Sequence, residues 1–151
     1  MAALQTDNLV ELIAGKRTCL TELRDLGRRQ LELIESGDMT GLLSLLAVKQ
    51  KSLARLQRLE KALDPFREQD PESRTWRTPE DRQRCAAQSQ ECEALLGEIV
   101  TQEKHAEGVL VRRRDETAER LQGAHFAGQA RGAYQGGAAG PISQLDLTSE
   151  S

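Results

Sequence analysis

Residues 9–46 read LVELIAGKRTCLTELRDLGRRQLELIESGDMTGLLSLL. Apolar residues recur there at the three- and four-residue steps of an α-helix. Leu12, Cys19, Leu26 and Leu33 form one heptad row, and Ile13, Leu20, Gly27 and Ile34 form the row beside it. A double row makes a stripe wide enough to pack on two partners. Asn8 followed by Glu11 fits a capping-box start. Gly37 then suits the left-handed residue that ends a helix, and Asp38 suits the cap of the next. So short a connection returns the chain antiparallel to itself. The stretch therefore predicts a helical hairpin, with a first helix over about 8–36 and a second from 39.

The second helix is predicted to reach 63. Its rows are Leu42, Leu56 and Leu63, and Leu46 with Leu53, interrupted by Lys49 and Glu60. Its opening, Leu42, Leu43, Leu45 and Leu46, is apolar on several sides, as in a helix that is deeply buried or offers a docking surface. Asp64-Pro65 predicts a stop. A loop of about 14 residues follows, long for a compact domain, with Phe66 and Trp76 expected to pin it. Thr78-Pro79-Glu80-Asp81 is a strong start signal: a capping Thr, Pro in the first turn, then acids at the positive end of the helix dipole. The third helix is predicted over 79–125, with Cys85, Cys92, Ile99 and Ala106 in one row and Leu96 and Leu110 in the next. Asp25/Arg29, Glu80/Arg84 and Glu116/Arg120 place an acid four residues before a base, which supports exposed helix faces. After Val111 the apolar stripe thins. From Ala127 Gly and Ala dominate, so 127–151 are expected to be a flexible tail and 1–126 the folded bundle.

Composition agrees. Apolar residues make up 38% of the 151, and aromatics only 3%. Leu and Ala carry the apolar side, which disfavours sheet architectures built on β-branched and aromatic residues. A net charge of −3 gives no general drive toward nucleic acid or an anionic membrane. Mean hydropathy is −0.58, and no long apolar run suggests a transmembrane helix or membrane insertion. The opening residues lack a basic segment, and Asp7 and Glu11 break any apolar run, so no signal peptide is expected.

The motifs that carry chemistry are missing or bland. His105 and His125 have no metal-site spacing. Cys19, Cys85 and Cys92 are an odd, sparse set, expected in a core as small hydrophobes and in a reducing cytosol. Cys85 and Cys92 lie about 10 Å apart along a helix axis, too far to bridge. Gly128, Gly132 and Gly136 follow no strand, so they are not a dinucleotide loop. Arg112-Arg113-Arg114 is followed at once by Asp115, Glu116 and Glu119 and has no interleaved aromatic, so no nucleic-acid role is expected. Lys16, Lys49, Glu60 and Glu103 sit at or beside seam positions. Their long stems point first to snorkelling at the stripe edge, with pairing across helices the alternative. The reading is all-α: an elongated antiparallel bundle of three long helices with a flexible Gly/Ala-rich C-terminal tail, no active site and no cofactor. Two function classes fit, a helical chaperone that binds another chain and a structural coiled-coil adaptor or scaffold.

At Gly37-Asp38, then Leu42, Leu43, Leu45, Leu46 and Lys49-Gln50-Lys51, running on through Leu53, Leu56 and Leu59, the sequence resembles the FlgN family of flagellar export chaperones. Leu95-Leu96, Ile99, Glu103 and Arg114-Asp115 in the third helix are similar too, and the pattern covers about residues 5–125. The loop with Trp76 and the Gly-rich tail depart from it. The resemblance implies a small cytoplasmic chaperone of the bacterial flagellar type III export system. Such proteins bind the C-terminal amphipathic segments of hook–filament junction (hook-associated) proteins. They pass these to the cytoplasmic domain of the export gate, without ATP or cofactor. It also suggests that a C-terminal tyrosine, here Tyr134, meets the gate. The client is expected along the third helix from 107 to 126, where neighbouring helices stop covering it. Val109, Leu110, Leu121, Ala124 and Phe126 supply the apolar area there, with help from Leu42 and Leu46.

Overall fold

The computed structural model describes residues 4–134. Helix α1 spans Gln5–Ser36, α2 spans Met39–Arg67, a 3₁₀ turn covers Pro71–Ser73, and α3 spans Pro79–Tyr134. Among the described residues there is no strand. The all-α bundle of three long helices is thus the architecture found. The chain divides into two compact units after Val109.

In the first unit the helices run up, down and up. Pairings of α1 with α2 descend along α2: Cys19 Sγ donates to the Ser52 carbonyl at 3.2 Å, and Lys49 Nζ donates to Gln30 Oε1 at 2.8 Å. Pairings of α1 with α3 ascend together: Arg17 meets Glu91, and farther along both helices Arg28 meets Glu98 at 3.3 Å and the Gln102 amide donates to the Arg24 carbonyl. Consecutive helices are therefore antiparallel, as the Gly37-Asp38 junction dictates. Gly37 has φ 75°, and its N–H and that of Asp38 donate to the Ile34 and Leu33 carbonyls. Asp38 Oδ1 accepts from the Gly41 N–H at 2.8 Å. Together these close α1 and open α2 within two residues.

The core is layered. Leu9, Ile13, Leu63, Phe66 and Cys85 form one cluster, with Trp76 packed against it. Cys19, Leu20, Leu23, Cys92 and Leu95 form the second. Ile34, Leu42, Ala106 and Val109 form the third. All three cysteines are buried. Loss of hydration pushes each thiol up from its ordinary value, and at Cys85 the Arg74 charge opposes this.

The seam charges pair rather than snorkel. Lys16 meets Glu60 at 2.7 Å, and Lys49, 8% exposed, donates to both Gln30 and Glu103. Three helices converge at each place, and a carboxylate from a neighbouring helix meets each lysine head. Burial pushes Glu60 up, but hydrogen bonds from Lys16 and Arg67 win and hold it below the usual carboxylate range. Asp25 pairs with Arg24 beside it at 3.3 Å and more loosely with Arg28 at 3.9 Å, and Asp81 pairs with Arg84 at 3.8 Å.

Several boundaries differ from the sequence reading. Helix α1 starts at Gln5, because the Leu4 N–H donates to Asp7 Oδ2 at 3.1 Å. Helix α2 does not stop at Leu63 but runs through Pro65 to Arg67. Pro65 lies in the last turn and gives up the N–H that would reach the carbonyl of Lys61, so that turn must be held by other contacts. Buried Phe66 anchors that turn, and Arg67 bonds back to Glu60 and Asp64. The loop is correspondingly shorter and tied down at both sides. Thr6 Oγ1 donates to the Thr75 carbonyl at 2.7 Å, and Arg77 grips Asp7 at 2.6 and 3.1 Å. That guanidinium, aided by the Leu4 N–H, lowers the Asp7 pKa to about 2. At the start of α3 the Asp81 N–H donates to Thr78 Oγ1 at 3.1 Å, the cap read from the sequence.

The second unit begins at Leu110. Its described residues, 110–134, continue α3. Residues 127–134 are therefore helical where a flexible tail was expected. Ala, Gln and Arg between the glycines are good helix formers, and Arg131 bonds the Ala127 carbonyl one turn back.

Candidate functional site

Among the described residues no group of three or more His, Cys, Asp or Glu could hold a metal ion. No described helix is long and apolar enough to cross a membrane. An open cleft of about 460 Å³ runs beside Gly27, Leu31, Gly97, Thr101 and His105. Its rim charges, Arg28 and Glu98, are already paired with each other.

The remaining candidates are apolar side chains in water. In the first unit Leu42 and Val109 are only 6% and 8% exposed and belong to the core cluster around Ile34 and Ala106. Leu46 is half-buried against the same cluster. Leu42 and Val109 are therefore not surface: each sits three residues from another buried residue, Leu45 or Ala106, and that spacing fixes the inward face. The exposed member of the α2 opening is Leu43, at 70%, with Met39 and Val48 also half-exposed or more. The sequence reading placed Leu43 in the apolar opening of α2 but chose Leu42 and Leu46 as the client residues, although the inward row Leu42, Leu45, Lys49 leaves Leu43 outside.

The second unit supplies the rest. Every residue from Leu110 to Ala124 is exposed. Leu121 and Phe126 stand at 67% and 66%, and Leu110 and Val111 at 38%. At about 100° per residue, Leu110, Thr117, Leu121, Ala124 and Gly128 fall within about 40° of one line along α3. Phe126 lies about 140° round from Leu121 by the same count. It stacks edge-on to His125, with ring centroids 6.4 Å apart. The sequence-predicted residues thus split into a stripe of Leu110, Leu121 and Ala124 and a separate aromatic on another face. Tyr134 is the last residue of α3, and its side chain lies outside what the structure describes.

An exposed helical stripe of this kind can bury the apolar face of a partner segment and do no chemistry. No curated protein and no solved structure matches the chain. One family model, described as FlgN protein, matches residues 1–139. That family is one of chaperones rather than enzymes, with a role in flagellum biogenesis. The match spans nearly the whole chain and agrees with the all-α bundle, and the chain belongs to the FlgN family.

Proposed function

We propose that the chain is a cytoplasmic chaperone of the flagellar type III export system that holds C-terminal amphipathic segments of hook–filament junction proteins along α3. On this reading it then hands them to the cytoplasmic domain of the export gate. Family membership supports a flagellar export chaperone role in general. The finer reading is carried by one observation: apolar side chains of α3 past Val109 stand in water, with Leu121 at 67% exposure.

The energetics suit a carrier. Covering two or three such side chains is worth about 3–6 kcal/mol. Ordering a disordered client takes back about 2–5 kcal/mol. The surplus is modest, so cargo is released without an energy source. Tyr134 is the proposed gate contact, as the only Tyr of the chain.

Titration calorimetry with a junction-protein C-terminal peptide tests this. Leu110→Ala with Leu121→Ala removes most of the stripe and should weaken binding at least about tenfold, at about 1 kcal/mol or more per truncated side chain. Unchanged affinity in a variant with an unchanged circular dichroism spectrum would place the client elsewhere. Tyr134→Ala should weaken gate binding and leave client affinity unaltered.

A further inference from the structure

The charges around the α3 stripe are sorted. Setting Leu110 at zero and counting about 100° per residue, Arg113, Arg120 and Arg131 fall within about 80° on one side of the line through Leu121 and Gly128. On the other side Arg114 falls at about 40° and His125 at about 60°. The acids of the same segment, Asp115, Glu116 and Glu119, all lie about 120–180° away, on the back of the helix. The linear sequence hides this, because Arg112-Arg113-Arg114 and its following acids nearly cancel. On the helix Arg113 and Arg114 move to the border of the apolar strip, while Arg112, about 160° from the line, stays on the rear among the three acids and leaves that face net acidic. Arg113, Arg114, Arg120 and Arg131 are exposed, and the Arg114–Asp115 contact is a loose 3.4 Å.

From this we infer that the partner seated on residues 110–131 is an amphipathic helix whose apolar stripe is bordered by Asp and Glu. The inference rests on the reading of α3 as the client site and names the chemistry of what that site takes. An acidic border on the partner meets arginines on both edges, which steers the encounter and fixes orientation. A second copy of this chain is disfavoured, since the same face on two copies would set Arg against Arg. The partner helix is short: from Leu110 to Arg131 is about 32 Å at 1.5 Å per residue, so about 20 residues fill the site. Toward its end Ala124 and Gly128 replace the leucines, and no atom lies within 4 Å of a side chain built on Gly128. A large partner side chain therefore seats over residues 124–128, while small ones face Leu110 and Leu121.

The test uses the full chain and two synthetic 20-residue amphipathic helices with one Leu/Ala stripe, bordered by Glu in one and by Lys in the other. In low salt the Glu-bordered helix should bind at least about tenfold more tightly, and the gap should close as salt screens the borders. A full-length variant carrying Arg113→Glu, Arg120→Glu and Arg131→Glu should reverse the preference toward the Lys-bordered helix. These residues are exposed, so the variant keeps the fold, which circular dichroism checks. Equal binding of both helices, each weakened at least about tenfold by Leu110→Ala with Leu121→Ala, would overturn the charge inference and leave the client site standing. Binding of either helix at undiminished affinity in that double variant would overturn both. A concentration-dependent dimer in sedimentation, lost in Leu121→Ala, would make a second copy the occupant and overturn the inference.

Discussion

Glu103→Ala is the perturbation that reads the polar layer most sharply. Lys49 carries its charge into the bundle on a side chain only 10% exposed, while the side chain of its partner Glu103 is 45% exposed. Removing the acid from a fully buried pair costs about 3–5 kcal/mol, because a lone charge stays inside. Losing an exposed pair costs about 0–1 kcal/mol. Here the stranded group is the buried one. Gln30, 6% exposed, still accepts from Lys49 at 2.8 Å but brings no charge. The vacated space lets some water reach the ammonium, so the loss falls between the limits, at about 2 kcal/mol. Urea unfolding followed by circular dichroism should show this as a midpoint lower by about 1 M. Adding Lys49→Met should recover at least half of the loss, since the stranded charge is then gone. A loss below about 0.5 kcal/mol would mean that the pair behaves as a surface contact. Failure of Lys49→Met to relieve Glu103→Ala would refute the reasoning outright.

Other consequences can be measured on the same protein. Leu20 is fully buried, so Leu20→Ala should lower stability by about 2–5 kcal/mol with no change in unfolding slope. Cys85→Ala and Cys92→Ala should each cost about 1 kcal/mol from lost packing and leave client binding intact, which thermal melts and calorimetry decide together. The Asp7–Arg77 bond makes a pH-dependent contribution. The Asp7 pKa is lowered on folding from 3.8 to about 2, so its stabilising effect is complete above 3.8 and is lost as pH falls toward 2. The difference in urea midpoint between the wild type and Asp7→Asn should therefore be constant above about pH 5 and vanish near pH 2. A difference that persists at pH 2 would assign the effect to something other than this carboxylate.

Much of the fold could be read from the chain because its signals were local. Gly37-Asp38 and Thr78-Pro79 each specify a backbone geometry within two residues, and both caps form as read. The end of α2 could not be read so, because Pro65 is a local stop outvoted by a distant contact, Phe66 in the first core cluster. The seam lysines show the same limit. Whether Lys49 snorkels or pairs depends on Glu103, fifty-four residues away on another helix. At the site, Leu121 and Phe126 were legible as apolar residues left over after the core rows. Leu42 and Val109 were not separable from them, since burial depends on which neighbour arrives. Phe126 joined the stripe only in the linear sequence; the helical turn carries it to another face.

The account stands on the claim that the client sits on α3 beyond Val109. All three core clusters use residues 9–109 alone, so deleting 112–151 removes no core residue. The truncated protein should keep a helical spectrum and a cooperative melt. Titration calorimetry of a junction-protein C-terminal peptide into it should show no binding, against clear binding to the full chain. A truncated protein that binds this peptide as tightly as the full chain would contradict the account.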